Sequence, residues 1–344
     1  IDATGPVAMA DVDGDGDLDI FVGARVRLGR YPEPARSQLS LNATISAKGA
    51  PFDAAVLHDL GLASAATFAD LDDDGDPDLV VAREWDSPAV LINTGSAFTD
   101  ATGAWGLDGF RGWWNGVAAG DLDGDGRIDL VATNWGTNSK YEGGYGKGRP
   151  LRVYYGDLDA SGSFDIVEAH EDKYSGKLVP ERGLSCSSNA MPFVRRRTPT
   201  FAEFGMAELN EIYGDRLAVA KLLEASDLRH MVFLNRGGRF EAKPLPLEAQ
   251  LAPAFGVAVA DFDGDGHEDV ALAQNFFAVQ IETPRNDAGR GLILRGDGRG
   301  GLEPLSAEES GVVAWGDGRA CAVGDFDGDG RADLLMTQCD DQTM

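Results

Sequence analysis

The chain has 344 residues, 43% of them hydrophobic, with 45 glycines and 15 prolines, which is enough apolar content for a sizeable core and argues against global disorder. Its formal net charge of −27 disfavours nucleic acid and anionic membrane surfaces as partners and favours divalent cations. No run of about 18 apolar residues occurs, so no membrane span is expected.

The first predicted element is a hairpin. "GPVAMA" leads into "DVDGDGDLD" (11–19), and "IFVG" follows. The pattern D-x-D-x-[DS]-G-x-x-D returns as "DLDDDGDPD" (70–78), "DLDGDGRID" (121–129), "DLDASGSFD" (157–165), "DFDGDGHED" (261–269) and "DFDGDGRAD" (325–333). Short Val- and Ala-rich runs flank most copies and read as buried strands, so each copy is the turn of a β-hairpin. An EF-hand would need flanking helices and a glutamate at loop position 12. That position holds Val22, Val81, Ala132, Leu272 and Met336 in five copies, and Glu168 in the fourth, whose flank still reads as strand.

A hard cation accounts for the aspartates. Ca²⁺ takes six to eight oxygens, and alternate residues of a tight loop aim their carboxylates at one centre, with glycine at position 6 for the turn. The expected ligands are Asp11, Asp13, Asp15 and Asp19; Asp70, Asp72, Asp74 and Asp78; Asp121, Asp123, Asp125 and Asp129; Asp157, Asp159, Ser161 and Asp165; Asp261, Asp263, Asp265 and Asp269; and Asp325, Asp327, Asp329 and Asp333. The expected role is structural, each ion clamping its hairpin.

A second hairpin follows several of these strand pairs, at 90–102, 231–245 and 292–305, so the unit reads as a four-stranded meander. The step from the fourth motif to the fifth is about twice the others. A degenerate unit placed there, with 231–245 as its surviving hairpin and a helical insertion at about 181–228, makes seven units of about 52 residues. The fold expected is all-β: a seven-bladed β-propeller of four-stranded antiparallel blades, one domain over 1–344, with the last blade incomplete. Of the three cysteines, Cys321 and Cys339 flank one hairpin and could pair.

In such a meander the acidic turns share one face, and the opposite face gathers cationic, amide and aromatic residues. Arg30, Arg83, Trp85, Trp113, Asn134, Trp135, Asn138, Lys140 and Arg285 are the expected ligand contacts, with Arg25, Tyr31, Glu84, Trp114, Asn115, Lys173, Arg182, Asn275, Asp287 and Trp315 on the same face. Such a mixture suits a glycan or a carboxylate, or part of a protein surface. Packing of the tryptophans between blades is the competing expectation. His170, with Glu171 and Lys173, is the only histidine on that face and the candidate acid or base if the protein is an enzyme. "RGD" at 295–297 reads as a turn.

The acidic hairpins resemble the FG-GAP/VCBS repeats of integrin-α-type propellers. Segments such as "GRYPEPARSQLSLN" (29–42), "GWWNGVAAGDLDGDG" (112–126), "TNWGTNSKY" (133–141), "FAEFGMAELNEIYG" (201–214) and "DAGRGLILRGDGRGG" (287–301) are similar to the propeller region of the cartilage acidic protein family, whose bacterial members often carry an ASPIC/UnbV domain. The resemblance implies a secreted, periplasmic or surface-exposed propeller and settles no activity. Three readings stand: a calcium-stabilised binding or adhesion module for a glycan or protein, a carbohydrate-active lyase or hydrolase on the same scaffold, and a structural segment of a larger surface protein.

Overall fold

The computed structural model describes residues 2–42, 55–141, 145–146 and 148–339. It is mostly β, built from small antiparallel sheets with a few short helices. The first sheet comprises β1 (Asp2–Ala10), β2 (Asp19–Arg27) and β3 (Gln38–Ser40), and the second β4 (Leu62–Ala69), β5 (Asp78–Asp86), β6 (Ala89–Asn93) and β7 (Phe98–Asp100). A two-residue strand, β8 (Gly112–Trp113), adds to the far end of β5. The third sheet begins with β9 (Gly116–Gly120) and β10 (Asp129–Thr133).

The chain then leaves that sheet. It forms β11 (Leu151–Gly156), β12 (Asp165–Glu171), β13 (Leu178–Pro180), four short helices, α1 (Leu184–Ala190), α2 (Phe193–Arg197), α3 (Phe201–Met206) and α4 (Leu209–Tyr213), and β14 (Lys221–Ala225). These four strands make a sheet of their own, in the order β13-β12-β11-β14. Only then do β15 (Met231–Asn235) and β16 (Phe240–Pro244) return to complete the third sheet, β15 pairing antiparallel with β10. A fourth sheet follows with β17 (Ala254–Ala260), β18 (Asp269–Gln274), β19 (Leu292–Gly296) and β20 (Leu302–Pro304), then a two-stranded fifth with β21 (Asp317–Gly324) and β22 (Asp333–Cys339).

This corrects the expected organisation. The hairpin at 231–245 is no remnant of a seventh unit: it supplies the missing half of the sheet that carries the third acidic loop. Residues 134–230 are an insertion within that sheet, and the helices are only part of it. Among the described residues five sheets succeed one another, with a sixth inserted.

The inner strands of the second, third and fourth sheets read as continuous apolar runs because those sheets are buried on both faces. Along β5, Leu79 and Val81 pack toward the first sheet, and Val80 and Ala82 toward the third. Along β15, Met231 and Phe233 face the second sheet, and Val232 and Leu234 the fourth. The two-residue period of a strand sends alternate side chains into separate cores. First strands of successive sheets lie side by side, β1 by β4, β4 by β9, β9 by β17 and β17 by β21. Their small residues follow from that closeness: a Cβ on Gly256 would stand 2.6 Å from the Ala320 backbone.

The insertion has its own core, with Leu158, Val167, Leu184, Val194, Leu209 and Tyr213 buried together. A junction core joins it to the sheets through Trp85, Trp135, Tyr141, Leu151 and Val153. Cys186, Cys321 and Cys339 are free thiols; β21 sets Cys321 opposite Met336 rather than Cys339, and burial raises the Cys321 thiol to about 12.

Candidate metal loops and ligand cavity

The acidic turns share one construction. In the first, Gly14 and Asp15 N–H groups donate to Asp11 Oδ1 (2.8 and 3.1 Å), and Gly16 N–H to Oδ2 (2.9 Å). In the third, Gly124, Asp125 and Gly126 bond Asp121 with the same three lengths. Position 4 as well as position 6 takes a left-handed backbone, at φ 72° for Gly14 and 94° for Gly16. Asp73 and Ala160 hold position 4 at φ 64° and 60° without glycine's freedom. Sequence reasoning assigned that role to position 6 alone.

The ninth residue has a structural duty. Asp78 Oδ2 accepts from Leu71 N–H (2.9 Å) and its Oδ1 from Asn93 N–H (2.7 Å), fastening the turn to the end of the third strand. Asp129 does the same with Leu122 (3.0 Å) and Asn235 (2.7 Å), Asp19 with Val12 (3.0 Å) and Asn42 (2.8 Å), and Asp269 with Phe262 (3.0 Å) and Gly296 (2.8 Å). In the outer turns, Asp165 and Asp333 accept from Leu158 (2.9 Å) and Phe326 (2.8 Å).

Asn93 and Asn235, which sequence reasoning missed, extend this bracket to the next sheet. Asn93 Nδ2 donates to Val12 O (2.8 Å) in the first loop, and Asn235 Nδ2 to Leu71 O (2.8 Å) in the second. Gly95 and Gly237 N–H groups close on their Oδ1 atoms, both at 2.9 Å. The readable signal is N-x-G after an apolar run, in "LINTG" and "FLNRG".

Carboxylate oxygens of Asp11–Asp13–Asp15, Asp70–Asp72–Asp78, Asp121–Asp123–Asp129, Asp157–Asp159–Asp165 and Asp261–Asp263–Asp265 gather within 4.8 Å of one another. These triads are able to hold a metal ion, and an all-oxygen set of this kind fits calcium. Asp13 supports the fit independently: it is 1% exposed and neither carboxylate oxygen has a hydrogen-bond partner. A buried carboxylate without a donor is costly and calls for a cation. Burial, then neighbouring carboxylates, raises the pKa of Asp13 and Asp72; burial raises Asp78 to about 7 and Asp129 to about 6. The fourth motif lies in the insertion, apart from the loops joined by Asn93 and Asn235, so the acidic turns do not all share one face as expected.

The insertion grows from the β10–β15 connection, at the end of the third sheet opposite its acidic turn. Where it meets the sheets it encloses a cavity of about 190 Å³, lined by Arg25, Trp113, Asn115, Trp135, Lys140, Tyr141, Glu168, Arg182, Phe255, Phe276 and Gln280 among others. A second cavity of about 200 Å³, beneath α1 and α4, shares Glu168, Arg182 and Gln280 with it. Glu168 is the hub: it accepts from Lys140 Nζ (2.8 Å) and Tyr141 OH (3.3 Å), and Arg182 Nε lies 3.7 Å away.

Of the nine ligand contacts expected from sequence, Trp113, Trp135 and Lys140 line the cavity. Trp113 is stacked between its neighbours, 4.5 Å from Trp135 at 15° and 4.8 Å from Trp85 at 35°. Trp85 is 3% exposed and donates Nε1–H to Tyr31 OH (2.7 Å), so it supports the stack from below. Asn134 is fully buried and receives Trp113 and Trp135 N–H groups on Oδ1 (3.1 and 2.8 Å). Arg83 braces the β5–β6 turn through Ser87 O (2.7 Å) and Asp86 (3.2 Å). Arg30 lies over the Phe164 ring and pairs with Glu33, Asn138 holds Leu251 O (2.9 Å), and Arg285 lies over Phe277. His170 pairs with Glu181 at 2.5 Å, a hydrogen bond that raises its pKa against the pull of burial. In the 295–297 turn, Arg295 pairs with Glu303 (3.1 Å) and Asp297 accepts from Arg299 and Gly301 N–H groups.

Residues 70–132 match the FG-GAP-like repeat. That span holds the second and third acidic loops and the strands between them. The T-cell immunomodulatory protein of Rattus norvegicus is 25% identical over 234 residues, covering 60% of this chain and 37% of its own length. The chain thus spans little more than a third of that relative. Among solved structures, the Vibrio cholerae biofilm matrix protein Bap1 aligns at 11% identity over 98% of this chain and 66% of its own, with a TM-score of 0.31. Rhamnogalacturonan lyase YesW aligns at 12% identity over 97% and 55%, with a TM-score of 0.33. Among the described residues, no helix is long and apolar enough to cross a membrane.

Proposed function

We propose that the chain is a calcium-binding β-propeller module, acting outside the cytoplasm, that binds a glycan or protein ligand in the cavity between the inserted sheet and the other five. The observation that carries the reading is that cavity: Trp113 and Trp135 line it beside three cations, Lys140 and Arg182 at Glu168 and Arg25 paired with the buried Glu84, in a chain of net charge −27. Aromatic side chains suit sugar rings or apolar groups, and the cations suit hydroxyl, carboxylate or acidic side-chain oxygens.

Calcium in the acidic turns, with ligands at positions 1, 3, 5 and 9, is supported by the triads and by the unpartnered Asp13 carboxylate. The propeller reading, over 1–344 as one domain, is supported by the face-to-face succession of sheets and by the outward apolar residues of the end sheets. Val7 and Met9 on the first are 61% and 59% exposed, and Val323 and Leu335 on the last are 39% exposed, faces that ring closure would bury. Kinship with the cartilage acidic protein group, in preference to other FG-GAP/VCBS repeat proteins, is part of the same proposal.

A glycan and protein-ligand screen, with and without EDTA, tests the function. Binding is expected to fall at least tenfold in Trp135→Ala. If no ligand binds the wild-type protein, the purely structural reading takes its place. A second reading, a carbohydrate-active lyase or hydrolase, is favoured by the Glu168–Tyr141–Lys140 cluster at the cavity wall. Product release from polyuronides that is abolished in Glu168→Gln would favour it.

A further inference from the structure

The acidic loops differ in what faces them. In the third, Arg236 Nη1 lies 2.5 Å from Asp123 Oδ2 and 3.4 Å from Asp125 Oδ2, and Arg127 also contacts Asp125. Arg236 belongs to the β15–β16 turn, on the far side of the insertion from the loop it touches. Its side chain also pairs with Glu241 at 3.0 Å, which holds it over the loop. The corresponding turn residue in the second sheet is Thr94, between the equivalent Asn93 and Gly95, and it carries no charge.

The first and third loops make a natural comparison. Their backbone cradles agree bond for bond, and each ends on the same aspartate bracket. In the first, both oxygens of Asp13 lack a donor. In the third, the equivalent Asp123 has a side chain 10% exposed; its Oδ1 lacks a partner, while its Oδ2 is taken by Arg236. The one orphan oxygen points to a cation at this loop too, and the arginine already supplies a positive charge beside it.

We propose that Arg236 is a tethered cation that competes with calcium for the third loop, making that loop weaker than the first and holding the split sheet together when calcium is scarce. The inference rests on the reading that the loops take calcium. A guanidinium must be pushed aside, or its repulsion endured, for a divalent ion to reach Asp123 and Asp125, whereas among the described residues no arginine or lysine contacts the carboxylates of the first loop.

The test is a calcium titration of the full chain by calorimetry, with terbium luminescence as a second probe, on wild type, Arg236→Gln, Arg236→Lys and Asp13→Asn. Arg236→Gln is expected to tighten one class of sites about tenfold, since a fixed unit charge a few ångströms from a divalent ion is felt twice as strongly as by a monovalent one. Arg236→Lys keeps the charge and is expected to stay near wild type, and Asp13→Asn to lose a site that Arg236→Gln leaves unchanged. In EDTA, Arg236→Gln is expected to melt below wild type, with the deficit vanishing at saturating calcium. Calcium uptake by wild type with an unchanged or weakened isotherm in Arg236→Gln would overturn this proposal alone. No uptake by wild type would overturn the calcium reading and this proposal with it.

Discussion

Asp78 and its counterparts carry two jobs on one carboxylate. Asp78 and Asp129 each accept two backbone N–H bonds and lie beside the other acids of their loops. Burial leaves Asp78 at about 7 and Asp129 at about 6, against 3.8 for an ordinary aspartate. The metal-free fold therefore holds more protons than the unfolded chain between about pH 4 and 7, and its stability falls as pH rises through that window. Calcium has the opposite demand, because it needs the carboxylate. Melting in EDTA is expected to give a higher transition at pH 5.5 than at pH 8, and calcium affinity to fall over the same acidification. Asn93 offers a second test. It is buried and uses Nδ2, Oδ1 and backbone N–H together, so Asn93→Ala strands Val12 O and Gly95 N–H. A loss of about 2–4 kcal/mol in denaturant unfolding is expected, given about 1–3 kcal/mol for each stranded buried group.

At the scale of elements, the acidic turns are legible because their chemistry is written within nine consecutive residues. The tryptophans were not. Trp85, Trp113 and Trp135 come from β5, β8 and the start of the insertion, and which of them a ligand can touch depends on the order in which they stack. Nor was the partner of 231–245: "MVFLN" has the pattern of a doubly buried strand, and nothing within it distinguishes β10 from a strand of a lost unit. The insertion is bracketed where it leaves and returns. Asn134 N–H donates to His230 Nδ1 (2.7 Å), and Gly136 N–H to Leu228 O (2.7 Å). His230 is fully buried and its pKa is depressed to about 4, so it remains a neutral acceptor there. Replacing 137–227 with a short glycine linker is expected to leave a cooperatively melting β protein that no longer binds the cavity's ligand. Loss of the far-UV β spectrum would mean that the sheets depend on the insertion.

For the whole molecule, an excess of acid is set against a fold whose turns each concentrate carboxylates. Divalent ions that bind only the folded state raise its melting temperature by mass action and relieve self-repulsion. EDTA is therefore expected to lower the melting temperature by several degrees, and excess calcium, but not an equal ionic strength of sodium, to restore it. A calorimetric scan that EDTA leaves unmoved would mean the loops are braced by their own backbone bonds.

The split third sheet also has a consequence in time. At roughly 5–20 residues per second of synthesis, β10 emerges about 5–20 s before β15, its partner 98 residues later. Through that interval a strand with the apolar centre Leu130–Ala132 shows an open edge, the kind of surface on which chains of the same sequence join. Until then β9 covers only its other edge, and the growing insertion is what can shield the open one. The slowest and most error-prone moment of this protein's life is thus expected at the ribosome, before the site it builds exists.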